Sequence, residues 1–147
     1  MIYLALIVVL VAIDQIVKFW TVQNIALGET IFDNPIISLT YLQNDGAAWS
    51  MLEGKMWFFY TITIVAIIVL STMIYKNRND SKWLTYGLTM VLAGAIGNFV
   101  DRLHLKYVID MFQIEFFNFP IFNVADVCIT IGVICIFIYL FFVAEED

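Results

Sequence analysis

The chain has 147 residues, of which 63% are hydrophobic and only 14% charged, with a mean hydropathy of +0.91. A soluble core of this size needs far less apolar sequence, so the composition points to a polytopic membrane protein, a single integral membrane domain over residues 1–147. The formal net charge of −6 owes half its value to the tail Glu145-Glu146-Asp147, and no basic patch marks a nucleic-acid partner.

Residues 2–13 are unbroken hydrocarbon, and the helix can run on past Asp14, Lys18 and Trp20 to about residue 22. That supplies the ~20 residues that a bilayer span requires. No basic segment precedes it and no small-x-small cleavage site follows, so a retained span is expected rather than a cleaved signal peptide. Asp14 and Lys18 are four apart on one helix face and can pair. They lie roughly 18 and 24 Å along the helix, in its far half. Such a pair either fixes packing or supports a site. Residues 23–56 change character, with Gly28, the turn Asp33-Asn34-Pro35 and the alternating, strand-like Ile37-Ser38-Leu39-Thr40-Tyr41. Next comes Gln43-Asn44-Asp45-Gly46-Ala47-Ala48-Trp49-Ser50, whose small residues permit close backbone approach. Trp49, Trp57 and Phe58 suit a bilayer interface.

Residues 57–75 form a second span without a charge. The connector Lys76-Asn77-Arg78-Asn79-Asp80-Ser81-Lys82 holds three of the seven basic residues and is expected to be cytoplasmic. A third span covers about 83–101, and its end, Ala93-Gly94-Ala95-Ile96-Gly97-Asn98, is built of small residues that let helices approach. Asp101-Arg102 follows, then an aromatic, strand-like loop over 103–121 and a fourth span at about 122–143. With the basic connector inside, both termini are expected in the cytoplasm and both long loops outside. The unusual polar residues then gather at one depth, near the outer surface.

Two carboxylates stand out. Asp126 ends Pro120-Ile121-Phe122-Asn123-Val124-Ala125-Asp126, at the mouth of a charge-free run of 17 residues. Asp110 lies 16 residues earlier, in Val108-Ile109-Asp110-Met111-Phe112. Two acids brought together in a low-dielectric site share a proton, so that one acts as base on water and the other as acid. The plain alternative makes Asp126 a helix N-cap and Asp110 a loop surface residue. Cys128 and Cys135 sit about 10 Å apart on one helix face, too far for a disulfide. His104 is the only histidine, which leaves no zinc cluster; no metal and no cofactor are expected.

The motifs, taken together, resemble the lipoprotein signal peptidases (signal peptidase II), bacterial membrane aspartyl proteases. They are Asp14-x-x-x-Lys18, Asn44-x-Gly46-Ala47-Ala48-Trp49, Gly97-Asn98-x-x-Asp101-Arg102, Val108-Ile109-Asp110 and Phe122-Asn123-x-Ala125-Asp126, in that order along essentially the whole chain. One departure is Met111-Phe112, where Phe is expected directly after Asp110. The resemblance implies Asp110 and Asp126 as the catalytic pair. It implies Asn44, Gly46, Asn98, Arg102 and Asn123 at the substrate, with Asp14, Lys18 and Asp101 supporting them. It further implies a diacylglyceryl-modified prolipoprotein substrate, cut just before its lipidated cysteine, and four transmembrane helices with a small extracytoplasmic β-sheet formed by the outer loops and cradling the peptide. A monomer in the bacterial cytoplasmic membrane, in contact with lipid and with its site at the extracytoplasmic face, is expected. Arg102 suits substrate carbonyls, with pairing to Asp101 or another acid as the alternative.

Two other classes compete. A proton-coupled transporter would carry polar groups across the bilayer, which the uncharged second span and the charge-free run in the fourth argue against. A non-catalytic assembly subunit would use Asp14–Lys18 and Asp101–Arg102 as packing pairs and would not require Asp110 and Asp126 to meet.

Overall fold

The computed structural model describes residues 1–46, 55–79 and 81–143. Within them run helix α1 (Ile2–Asn24), strands β1 (Thr30–Ile31) and β2 (Ile37–Asn44), helices α2 (Met56–Asn77) and α3 (Lys82–Leu105), strand β3 (Val108–Ile114) and helix α4 (Val124–Ile138), which passes into a π-helical turn at Tyr139–Val143. Four helical stretches are long and apolar enough to cross a membrane: α1, α2, α3 and Val124–Val143. The three strands make one antiparallel sheet in the order β1-β2-β3. This is the fold class expected from the sequence. Ala47, Ala48 and Trp49 lie outside the described residues, as do Asp80 and the acidic tail.

In hydrocarbon every backbone N–H and C=O must be satisfied internally, which makes the helix the default for these apolar stretches. Helices α1, α2 and α4 keep most of their apolar surface outward, and α3 does not. Of its most apolar stretch 56% is buried, against 11%, 6% and 11% for α1, α2 and α4. Small residues explain the difference, because packing between helices in lipid depends on close backbone approach. A Cβ at Gly94 would strike the carbonyl oxygen of Ala125 and come within 2.6 Å of Ile129 Cγ1. One at Gly97 would fall 2.7 Å from Asp14 Oδ2 and 3.2 Å from Ala125 Cβ. The run of small residues therefore seats α4 and α1 on the backbone of α3.

Lys106 ends α3 in the left-handed region (φ 71°), its N–H returning to the Arg102 carbonyl, and the chain turns into β3. Since β2 follows α1 and β3 follows α3, their pairing places both long loops at one end of the bundle. One face of the sheet closes over the end of α1 through Ile25, Tyr41, Ile109 and Met111, with Val17 and Leu39 against them. Here water is the alternative environment, so each such side chain contributes about 1.5–3 kcal/mol. The sheet is thus held to the bundle by the hydrophobic effect, which does little between helices within lipid.

Candidate functional site

Strands β2 and β3 pair Leu39 with Phe112 and then Leu42 with Asp110, so Thr40 and Tyr41 together oppose Met111. Side chains alternate along a strand, and one extra residue exchanges the faces of everything beyond it. Without this bulge Gln43 would share the face of Asp110. With it, Asn44 does, and its Nδ2 donates to Asp110 Oδ2 at 3.0 Å. The Gly46 N–H donates to Asn44 Oδ1 at 3.0 Å, a turn that fixes which way the amide points.

The start of α4 is tied to the other edge of β3. Phe122 bridges to Phe112, donating to its carbonyl at 3.0 Å and accepting from its N–H at 2.8 Å. The next residue, Asn123, is the N-cap of α4, and Asp126 completes a reciprocal capping box. Asn123 Oδ1 accepts from the Asp126 N–H at 3.0 Å, and Asp126 Oδ2 accepts from the Asn123 N–H at 3.2 Å. The cap position therefore belongs to Asn123, three residues before the aspartate. The Asn123 amide nitrogen, freed for other work, donates to Asp110 Oδ1 at 2.7 Å. A single residue thereby joins both acids, its side-chain amide holding the Asp110 carboxyl and its backbone N–H that of Asp126.

Helix α3 supplies the next layer. Asn98 Nδ2 donates to Asp126 Oδ1 at 2.8 Å, while Asn98 Oδ1 accepts from Asn123 Nδ2 at 3.1 Å and from Lys18 Nζ at 3.0 Å. Lys18 also pairs with Asp14 and with Asp101, each at 2.9 Å. The pairing of Asp14 with Lys18 is the one the four-residue spacing predicts. That of Asp101 with Arg102 is absent among the described residues, because Asp101 turns to Lys18 and accepts from the Ile109 N–H at 3.1 Å. Arg102 instead stacks its guanidinium 4.5 Å over Phe59 and donates to the Gly46 carbonyl at 3.1 Å. Its buried Nε has no partner among the described residues.

Asn44, Asn98, Arg102, Asp110 and Asp126 line one cavity of about 360 Å³, closed on the other side by apolar residues from Val108 and Phe119 to Ile129. The two acids meet it differently. Asp110 is 1% exposed, whereas Asp126 is half-buried. Burial pushes the Asp110 carboxyl up to about 7, with the charge of Asp126 adding to the effect; the amides of Asn44 and Asn123 and the charge of Lys18 oppose it. Two carboxyls of unlike environment, set around one cavity with amide and guanidinium donors beside them, can divide acid and base work on water and a carbonyl group. An assembly subunit would not need the two acids together, and here they are together.

The family model for signal peptidase (SPase) II matches residues 6–142. The chain belongs to the signal peptidase II family. A lipoprotein signal peptidase of Latilactobacillus sakei is 54% identical over 94% of this chain and 92% of its own length. That of Enterococcus faecalis is 56% identical over 95% of this chain and 87% of its own. A bacterial membrane enzyme structure obtained by the in meso method at 2.3 Å superposes with a TM-score of 0.89, at 35% identity, over 94% of this chain and 86% of that one.

Within this signal peptidase II chain, Asp14, Lys18, Asn44, Gly46, Asn98, Asp101, Arg102, Asp110, Asn123 and Asp126 all fall in one connected network. Sequence reasoning missed Gln15, whose Nε2 reaches Asp101 Oδ1 at 2.8 Å, Asp14 Oδ2 at 3.2 Å and the Gly97 carbonyl at 3.3 Å. Its signal was a neutral polar residue inside a span, a group that needs partners there. Phe59, the support under Arg102, carried no signal within a uniformly apolar helix.

Proposed function

We propose that this signal peptidase cuts diacylglyceryl-modified prolipoproteins just before the lipidated cysteine, with Asp110 and Asp126 as the catalytic pair. The reading is supported above all by Asn123, which holds both carboxyls around one cavity. Each acid accepts N–H donors at both of its oxygens, so the donors do not rank them; Asp110, the more deeply buried, carries the shared proton. Asp126 takes a proton from water as its oxygen bonds to the scissile carbonyl carbon, and Asp110 protonates the carbonyl oxygen. Asp110 then recovers its proton as the C–N bond breaks, and Asp126 passes its own to the leaving amine of the lipidated cysteine. Arg102 and Asn44 orient the substrate backbone. The lipid anchor sets the scissile bond at membrane depth, where the half-buried Asp126 still meets water.

The decisive assay offers purified protein a diacylglyceryl-modified and an unmodified prolipoprotein peptide. Only the modified peptide should be cut, and Asp110→Asn and Asp126→Asn should each fall to near background, with the double variant little worse. Substantial turnover by either single variant excludes a two-aspartate mechanism. Because Asp110 must keep its proton, kcat/KM should decline as pH rises through about 7. A profile flat from about pH 5 to about pH 9 contradicts that division of labour.

The chain works in the bacterial cytoplasmic membrane as a monomer among lipids, with its sheet end at the extracytoplasmic face and both termini in the cytoplasm. This orientation follows from Lys76, Arg78 and Lys82 in one short connector. In a background lacking Cys128 and Cys135, an impermeant thiol reagent added to intact cells should label Thr30→Cys and spare Asn79→Cys. Labelling at position 79 reverses the topology.

A further inference from the structure

Lys18 is a charge buried to 1% exposure beside Asp110 and Asp126, and nothing in the proposed chemistry uses it. An ammonium has three hydrogens to donate and accepts nothing. All three are matched: by Asp14 Oδ2 at 2.9 Å, Asp101 Oδ2 at 2.9 Å and Asn98 Oδ1 at 3.0 Å. No donor remains for a substrate, so Lys18 can act only through these partners.

Asn98 is the partner that leads to the acids. Its oxygen takes Lys18 and Asn123, and its nitrogen serves Asp126. Turning that amide over would set its NH2 against two donors and its carbonyl against a carboxylate, spoiling three contacts at once. Asn123 is constrained in the same way, its nitrogen serving Asn98 and Asp110 and its oxygen taking the Asp126 N–H. We infer that Lys18 is a positioning residue, whose ammonium sets the direction of Asn98 and then Asn123 and so aims their amide hydrogens at Asp126 and Asp110. The inference rests on the two-aspartate reading.

Other charged groups share this space and bear on any test by pH. From α1 there is Asp14, whose Oδ1 accepts from the Ala125 N–H at 2.8 Å; from α3 there are Asp101 and Arg102; and before β3 there is Tyr107. Asp14 and Asp101 also fasten α4 and β3 through the N–H groups of Ala125 and Ile109, so a purely structural role for Lys18 is the rival to eliminate. Lys18 also opposes the upward push on the Asp110 carboxyl, so losing its charge has a direction.

The test uses Lys18→Met, of matched length, and Lys18→Met/Asp101→Asn. Lys18, Asp14 and Asp101 together carry a formal charge of −1, and the double variant, left with Asp14 alone, carries the same −1. Cleavage of the lipidated peptide is followed across pH, with thermal melting alongside. Either variant should lose about 100-fold in kcat with little change in KM, as misaligned groups do, and in Lys18→Met the alkaline limb of the pH profile should move upward, because the charge that opposed the upward push on Asp110 is gone. Wild-type kcat in the double variant, or a fall in kcat with an unmoved profile in Lys18→Met, overturns the inference and leaves Lys18 structural. Asp110→Asn and Asp126→Asn are assayed in parallel. Turnover by either sinks the two-aspartate reading itself, whereas inactive aspartate variants beside an unmoved Lys18 profile sink only the positioning role.

Discussion

Helices α2 and α3 are nearly equal in length, 22 and 24 residues, and both can cross a bilayer, yet they solve opposite problems. In α2 the one buried residue is Phe59, while Ile62, Val65, Ile68 and Val69 stand about half or more exposed. In α3 eleven residues are buried, among them Thr85, Thr89, Asn98 and Asp101. Lipid tails are as apolar as leucine, so α2 gains nothing by hiding its side chains, and its sequence is free of glycine and charge from end to end of the apolar stretch. Burial in α3 is driven by two other things: glycines that bring α1 and α4 onto its backbone, and polar groups that find partners only inside the protein. In a membrane, what is buried is what cannot face lipid, the reverse of the rule in water.

That contrast can be broken at Gly94. Gly94→Leu would drive a side chain into the Ala125 carbonyl and Ile129, the turn of α4 that carries Asp126. Overpacking typically costs about 1–3 kcal/mol, and here it also shifts a site residue. Activity should be abolished and the melting temperature should drop. Wild-type melting would show that α4 is not seated on this glycine. A smaller effect is expected at Arg102→Lys, which keeps the charge but loses the planar fork of donors and the stacking over Phe59. With hydrogen bonds to charged groups at about 1.5–3 kcal/mol, kcat/KM should fall by about 10- to 100-fold while melting is unchanged. Full cleavage by this variant refutes hydrogen bonding by Arg102 to substrate. The smallest effect belongs to α2. Ile68→Leu, at a position 61% exposed, should leave stability within about 0.5 kcal/mol and turnover untouched. A marked loss there would mean that α2 has a protein partner on its outward face.

Much of the site was legible because ionisable groups in apolar sequence are costly and therefore conspicuous. Asp14, Lys18, Asp110 and Asp126 each stood out on that ground, and each lies in the network. The partnerships were less legible. Asp101 beside Arg102 reads as a pair in one dimension, but adjacent residues on a helix point apart, and Asp101 meets Lys18 on α1 instead. Asp126 reads as a cap, and the cap is Asn123, since the local donors of the first turn select the residue that can serve both helix and neighbour.

By itself, then, the sequence determined the four apolar stretches, the breaks between them and the inventory of polar residues, because hydropathy over ~20 residues and the cost of a charge in lipid are local quantities. Only the tertiary structure decided which polar group answers which. The bulge at Thr40–Tyr41 turns Asn44 toward Asp110, the bridge at Phe122 brings the start of α4 to β3, and Gly94 and Gly97 bring three helices close enough for Lys18, Asn98 and Asn123 to form one line. Hydrogen bonds act over about 3 Å, and separations that small between residues distant in sequence are set by packing, which no single stretch of the chain contains.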